Sequence, residues 1–356
     1  MKKQILLLLL IVFATVTAFA QYQITGQVVD AETAAPLEGA SVFAQNTTRG
    51  TITAKDGTFT LPLSKGGFEL IVSYTGYKKV QQNIQAGTDT AITIKLQKDD
   101  ASLGEVVITS TNEVADGWQQ YGTFFVSHFI GTTPFADSCT IQNPDVLHFY
   151  FYKRSNKLKV LATEPLQILN KSLGYQLNYT LDSFVYYYKT DINSYRGQCL
   201  YRPLEGTAEE QTQWAKNRLS AYNGSRLHFM RAYYDSALKE EGFTVDLLSR
   251  TDNKKFNRVT NPYDTTYYLA DDSTGDVELW FDTKASITYT KKTPETRYLK
   301  QFGLPLDVGV QISYVNLLDP IIIKPNGFFL EQRSWINQGY WSWKNLADAL
   351  PYDYEP

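Results

Sequence analysis

Between Ile24 and Gln97, short runs of β-branched and aromatic residues alternate with turn-forming residues at close, regular intervals. That punctuation admits little besides a small β-sandwich. Ile24, Val28 and Val29 open one strand, and Asp30-Ala31-Glu32-Thr33 turns it. Pro36-Leu37-Glu38-Gly39-Ala40 leads into a second strand, Ser41 to Gln45. Gly50-Thr51-Ile52-Thr53 and Asp56-Gly57-Thr58-Phe59 predict a third strand, a tight hairpin turn and a fourth. In the fourth, Phe59, Leu61 and Leu63 alternate with Thr60 and Pro62, the period of a half-buried strand.

Ahead of this stretch, Met1 to Ala20 reads as a secretory signal peptide. Lys2 and Lys3 supply the positive start, Ile5 to Phe13 the apolar run, and Ala18-Phe19-Ala20 the small-x-small cleavage site, leaving Gln21 as the new N-terminus. The run is too short for a membrane anchor. No later segment has the uninterrupted apolar length of a spanning helix; Leu317 to Ile323 is broken by Asp319 and Pro320. The chain is therefore expected in the periplasm or at the outer cell surface and not as an integral membrane protein. With 34 basic and 37 acidic residues interspersed, it has no basic stripe of the kind that neutralises nucleic-acid phosphates.

Cys139 and Cys199 are the chain's two cysteines. An even count in an exported chain predicts a Cys139–Cys199 disulfide, closing a loop of about 60 residues and contributing about 3–4 kcal/mol if unstrained. The alternative is two buried free thiols. Two cysteines alone cannot build a zinc site.

Five motifs recur through the front module: G-x-V-x-D from Gly26, P-L-x-G-A-x-V from Pro36, G-T-x-T from Gly50, D-G-x-F-x-L from Asp56 and V-S-Y-x-G-Y from Val72. Together they resemble the carboxypeptidase-regulatory-like domain. The resemblance implies a transthyretin-like β-sandwich and the exported, envelope setting of Gram-negative bacteria in which that module is common. One departure is that Ala54 and Lys55 stand where an acidic residue often precedes D-G. The name implies no peptidase. In metallocarboxypeptidases a separate zinc domain supplies H-x-x-E, and here none of His128, His148 and His228 has a glutamate three residues on. Leu103-Gly104-Glu105-Val106-Val107-Ile108 is similar to the L-x-E-V-V-V run that follows this module in TonB-dependent receptors. The rest of the chain is too short for the 22-stranded barrel with which such receptors continue.

The organisation expected is a signal peptide over 1–20, the sandwich over 21–98, a linker over 99–117 and an α+β domain with a mainly antiparallel sheet over 118–356. In the last, Trp118 to Ile130 predicts a helix, Val146 to Tyr152 and Leu158 to Thr163 a hairpin, and Tyr175 to Tyr188 a strand. Glu209 to Leu219 and Ser225 to Lys239 are the clearest helices, with Ser225 as a cap. Strand-like runs follow over Phe243 to Leu248, Val277 to Phe281, Val310 to Val315 and Phe328 to Trp335. The layout, including Gly224-Ser225-Arg226-Leu227-His228-Phe229-Met230-Arg231-Ala232, resembles exported proteins with the same front module and no assigned activity.

No catalytic motif emerges from the remaining candidates. Trp335, Tyr340, Trp341 and Trp343 either present flat faces for sugar rings or pack the chain's last segment onto the core. Asp271 to Asp276 with Glu278 is rich in oxygen ligands but lacks the spacing of a calcium loop, and reads as an exposed turn. The histidines sit among apolar residues, and Ser225 lacks the G-x-S-x-G elbow. The reading is a non-enzymatic binding or scaffolding protein without a cofactor, whose partner is a glycan or another envelope protein. The rival reading is a hydrolase of peptide or glycan that uses two carboxylates.

Overall fold

The computed structural model describes residues 22–87, 90–99, 112–252 and 254–356; the signal segment and the Leu103–Ile108 run lie outside them. The N-terminal part is a two-sheet sandwich. Strand β1 (Tyr22–Asp30) lies between β4 (Thr58–Leu63), antiparallel, and β7 (Thr90–Leu96), parallel. The facing sheet runs β3-β2-β5-β6, where β2 is Ser41–Ala44, β3 Gly50–Ile52, β5 Gly66–Ser73 and β6 Val80–Ala86. Alternating residues of both sheets, among them Ile24, Val28, Val42, Leu61, Phe68 and Ile94, meet in a closed apolar core.

The hairpin expected around Asp56-Gly57 is not one, because β3 and β4 belong to different sheets. Buried Thr53 ends β3, its Oγ1 donating to Leu37 O and accepting from Ala40 N at 2.8 Å. The Ala54–Gly57 turn then carries the chain across to β1, where Gly57 O accepts from Val28 N at 2.9 Å. A Cβ on Gly57, whose φ is +73°, would stand 2.5 Å from Val28 O, so glycine is required there.

Behind the sandwich, helix α1 (Gly117–Phe129) packs on a six-stranded antiparallel sheet of β8 (Cys139–Ile141), β9 (Leu147–Tyr152), β10 (Lys157–Ala162), β11 (Leu166–Asn170), β12 (Tyr175–Tyr187) and β13 (Ile192–Pro203). The long strand β12 is its spine. β13 runs along one side of it, and β11 and β10 share the other. Phe125 and Phe129 of α1 meet Phe149, Phe184 and Tyr179 of the sheet in edge-on ring contacts. Residues Asn112 and Val114, expected in the linker, add to the edge of β9 through bonds with Phe151 and Phe149.

Helix α2 (Ala208–Tyr222) opens with a full capping box from Thr207 and Glu210, and Ser225 caps α3 (Arg226–Tyr234). Helix α3 stops short of the expected Lys239, since Ser236 takes a φ of +55°. It packs on a second antiparallel sheet ordered β15-β14-β18-β19-β21 and on a small one ordered β16-β17-β20. Their strands are β14 (Phe243–Leu248), β15 (Phe256–Arg258), β16 (Tyr268–Asp271), β17 (Asp276–Leu279), β18 (Ala285–Tyr289), β19 (Gln311–Leu317), β20 (Ile321–Ile323) and β21 (Trp335–Gly339). The short helices are α4 (Thr296–Gln301) and α5 (Tyr340–Trp343). The antiparallel pairing expected after the sandwich is present, divided among three sheets. The strand expected over Phe328 to Trp335 begins only at Trp335, because Glu331 adopts a φ of +60° and opens a 3₁₀ turn over Gln332–Ser334. No helix of the described residues is long and apolar enough to cross a membrane.

The expected disulfide is absent, and both thiols are free. Cys139 on β8 and Cys199 on β13 are separated by β11 and β12. Three strand steps set them roughly 14 Å apart, twice the reach of a disulfide. Burial pushes the Cys139 thiol up to about 12 and the Cys199 thiol higher still, which keeps both protonated. The purified protein should accordingly give two thiol equivalents with a chromogenic disulfide reagent after denaturation, and reductant should leave its melting temperature unchanged. One equivalent or none would mean a cross-linked chain.

Candidate functional site

The sandwich's signature residues all have local structural work. Asp30 accepts from the backbone N–H of Glu32 and Thr33 at 2.9 and 2.8 Å and from the Tyr77 hydroxyl at 2.7 Å, joining the first motif to the last. The Thr33 N–H and the Tyr77 hydroxyl hold its carboxyl well below the usual range. Asp56 takes the N–H and hydroxyl of Thr58 and thereby sets the turn that Gly57 completes. None of these groups faces a cleft.

What the module does offer is a docking edge. The loop after β2 inserts between β13 and the C-terminal segment. Asn46 N donates to Cys199 O at 2.7 Å, Tyr201 N donates to Thr47 O at 2.9 Å, and Tyr352 N donates to Asn46 O at 2.8 Å. Asp353 accepts from Thr48 N at 2.9 Å and pairs with Arg49 at 3.2 Å. A second clasp joins β5 to the Asn326 turn: Gly67 N donates to Asn326 Oδ1 at 3.2 Å, and Asn326 Nδ2 donates to Gly67 O at 2.9 Å. A Cβ on Gly66 would fall 2.4 Å from Asn326, and one on Gly67 2.4 Å from Lys324, so the glycine pair makes the room. Arg231 of α3 ties the parts together by donating to the carbonyls of Asn326, Tyr352 and Tyr354 at 3.1, 3.0 and 2.9 Å.

Of the two readings open for the four C-terminal aromatics, packing holds and the sugar platform does not. Trp335, Tyr340, Trp341 and Trp343 are only 6, 2, 5 and 3 % exposed. Each polar handle is taken internally: Trp341 donates to Gly224 O at 2.7 Å, Trp343 to Thr132 and Gln301 at 3.0 Å, Trp335 to Asn337 and Tyr340 to Glu295. A ring so placed has no face to offer a sugar.

The histidines are not gathered. His128 bonds to Phe124 O within α1, His148 pairs with Glu113 at 2.9 Å, and His228 with Glu241 at 3.0 Å. His228 accepts the Gly224 N–H on Nδ1, which puts its proton on Nε2, toward Glu241. Burial pulls His228 below the usual range against the raising influence of Glu241. Ser225 bonds to the backbone N–H of His228 and not to its ring, so no nucleophile–base pair exists there. Asp271 is engaged by Ser273 and Thr274 and closes the β16–β17 turn. Among the described residues no group of three His, Cys, Asp or Glu could hold a metal ion.

Sequence reasoning missed the densest charged group. Lys344 lies 2.8 Å from Glu295 and 3.0 Å from Asp348, under the rings of Tyr340 and Trp343. Thr133 donates to Asp348 at 2.6 Å, and Lys292 donates to Ser220. Burial raises Asp348; Glu295 is desolvated as well, but Lys344, Tyr340 and Lys292 bring it below the usual range. Its two halves, Lys292 with Glu295 and Lys344 with Asp348, lie on either side of a 49-position separation between Glu295 and Lys344, so no local pattern announces that they meet. They line neither of two clefts found among the described residues.

Those two clefts are open. One, about 420 Å³, is lined by Arg250, Asn257, Arg258, Asn261, Asp264 and Tyr267 among others; Arg250 is paired with Asp282, and Arg258 with Asp246. The other, about 490 Å³, lies at the rim of the seam between Thr48, Tyr175, Arg218, Asp353 and Tyr354. The carboxyls lifted by burial, Glu69, Asp235 and Asp348, have no neighbour in common and stand outside both. Among the described residues, the paired raised acids that a glycan hydrolase would need in one cleft do not come together.

Residues 24–108 match the family model of the CarboxypepD_reg-like domain. The front module is a CarboxypepD_reg-like domain. The N-terminal region is also similar to the TonB-dependent receptor SusC of Bacteroides thetaiotaomicron, with 33% identity over 114 residues, 32% of this chain and 11% of the receptor. A TonB-dependent receptor of Formosa agariphila is 32% identical over 109 residues, 31% of this chain and 10% of its own. The match thus spans about a tenth of each receptor's length. Among solved structures, the pilus 2b backbone protein of group B streptococcus shares 20% identity over 23% of this chain and 43% of its own, with a TM-score of 0.20. A 3-chlorocatechol 1,2-dioxygenase of Rhodococcus opacus shares 14% over 22% and 60%, with a TM-score of 0.19. These matched domains are regulatory or receptor modules, not catalytic ones; the two structural likenesses are too weak to bear on function.

Two outcomes follow for the seam and the sandwich. Arg231→Met leaves three carbonyls without their donor and should lower stability by about 2–4 kcal/mol in urea unfolding. A loss under about 0.5 kcal/mol would mean the seam does not depend on it. Because Asp30 is held below its unfolded value of about 3.9, its contribution is complete above that pH and is lost as pH falls further. The urea midpoint of the parent should therefore drop more steeply between about pH 4 and 2 than that of Asp30→Asn. Parallel curves would remove Asp30 from the account.

Proposed function

We propose that this chain is an exported, non-enzymatic protein of the Gram-negative cell envelope, with a binding or scaffolding role. In this reading the CarboxypepD_reg-like sandwich is a fixed mount for the larger β-rich part. The observation that carries it is the seam: the Asn46–Arg49 loop, the Gly67–Asn326 clasp and Arg231 hold sandwich and body as one unit. A tethered regulatory module would need a mobile joint, whereas a mount needs a stiff one. The envelope setting draws on the similarity of the N-terminal region to TonB-dependent receptors, and the export route on the Met1–Ala20 signal. No carboxyl raised by burial lines either described cleft, which weighs against the hydrolase.

Incubating the folded protein with panels of oligosaccharides, peptides and detergent-extracted envelope proteins tests this, if retention and product formation are read in parallel. Retention of a glycan or an envelope protein without turnover is the expected result. Turnover of any substrate that disappears on heat denaturation would replace this reading with the hydrolase.

A further inference from the structure

We infer that the uncovered half of the six-stranded sheet's outer face binds an anionic polysaccharide, laid across Tyr152, Lys157 and Tyr187. The inference rests on the binding role proposed above and gives that role a site and a ligand class.

The strands alternate strictly here. Leu158, Val160, Phe184 and Tyr186 point into the core beneath α1, so Lys157, Lys159, Val185 and Tyr187 point the other way. Cross-strand register then assembles two outward rows. Tyr152, Lys157, Tyr187 and Ile192 stand opposite one another over four strands, and Tyr150, Lys159, Val185 and Ser194 form the next row. The sandwich covers another corner of this same face, where Thr47 lies beside Leu200 and Lys79 reaches Gln198. Among the described residues nothing closes the far end of the first row, where Tyr187 is 43 % and Ile192 58 % exposed, and the other members of the two rows include half-buried side chains.

The Lys157 ammonium sits between two tyrosine rings, 4.6 Å from the centroid of Tyr152 and 5.9 Å from that of Tyr187. Neither Lys157 nor Lys159 forms an ion pair with a described carboxylate, and the nearby acids are engaged elsewhere. Glu113 pairs with His148, Asp182 with Lys79, and Asp191 accepts from Tyr186. The hairpin tips at this end bring further cations, Lys153 and Arg154 on one and Lys189 on the other. The Tyr188 N–H to Asn156 O bond, at 3.1 Å, holds the two tips together.

The pattern is ring, cation, ring on a flat surface, with the rings two strand steps or about 9.6 Å apart. Pyranose faces stack on tyrosine, and a carboxylate or sulfate carried by the sugar meets the ammonium between them. A neutral glycan would leave the cations unused, and an acidic peptide would leave the rings unused. A strand of nucleic acid also carries rings and charges, but the chain lacks the long basic stripe that tracks a polyphosphate, and oligothymidylate serves as the comparison.

Calorimetric titration of the full chain with polygalacturonate tests the assignment, with chondroitin sulfate as a second anionic glycan and dextran, polyglutamate and oligothymidylate as comparisons. Saturable binding of at least one anionic glycan is expected. It should weaken as salt rises from about 50 to 300 mM. Tyr187→Ala and Lys157→Gln should each weaken it about tenfold, and Lys159→Gln by less. All three positions are on an outer face, and an unchanged melting temperature shows that each variant is folded. The site is overturned if neither anionic glycan binds, if polyglutamate or oligothymidylate binds more tightly, or if folded variants bind like the parent. Binding that ignores Tyr187 and Lys157 removes this site but leaves the binding role standing. Turnover in the panel assay would remove the role itself.

Discussion

The architecture hangs on a short loop that has nowhere else to satisfy its backbone. Asn46 to Arg49 lies between a strand of the large sheet and the chain's last segment, and buried amide and carbonyl groups in that position must find partners. They find them on both sides, at Cys199 and Tyr201 and at Tyr352 and Asp353. Asn46 has a φ of +54°, a conformation asparagine tolerates better than most residues. Arg231 then carries the constraint into α3, and the β14–β21 sheets pack around that helix. Sandwich, middle sheet and C-terminal sheets are thus three cores with one common fastening.

The front module was legible in the sequence because its signals are local. Asp30, Gly57 and Asp56 each act within a few residues or across one motif, so spacing alone exposes them. Helix α1 and strands β9, β12 and β14 were legible from periodicity for the same reason. The failures share a cause as well. Alternation says that a strand has two faces but not what covers each, and a turn motif does not say whether it joins strands of one sheet or two. Hence the Ala54–Gly57 turn read as a hairpin and the C-terminal aromatics as a possible platform. Pairing the cysteines by parity could not foresee two intervening strands. The seam was invisible because its contacts span the chain: Thr48 and Asp353 are 305 positions apart.

The same structure separates chemistry from charge. Lys344, Glu295 and Asp348 form the most concentrated ionic group, yet it is closed off beneath aromatic rings and its charges are mutually compensated. On the outer sheet face the situation is reversed, with cations beside open rings and without compensating carboxylates. A buried network of the first kind fixes a unique arrangement of α4 and α5, whereas an open array of the second kind is available to a partner. Reading the molecule by how its charges are compensated directs attention away from the tryptophan-rich segment and toward the middle sheet.

Much of the seam is main-chain to main-chain, and that has an evolutionary consequence. Bonds from Asn46 N, Thr47 O, Asn46 O and Tyr201 N place little demand on the side chains that accompany them. Substitution can therefore drift across both surfaces while the docked geometry persists, pinned only at Arg231, Asn326, Asp353 and the Gly66-Gly67 pair. Descendants of this arrangement could keep their shape long after their sequences had ceased to resemble one another, with a handful of invariant positions as the surviving trace of common origin.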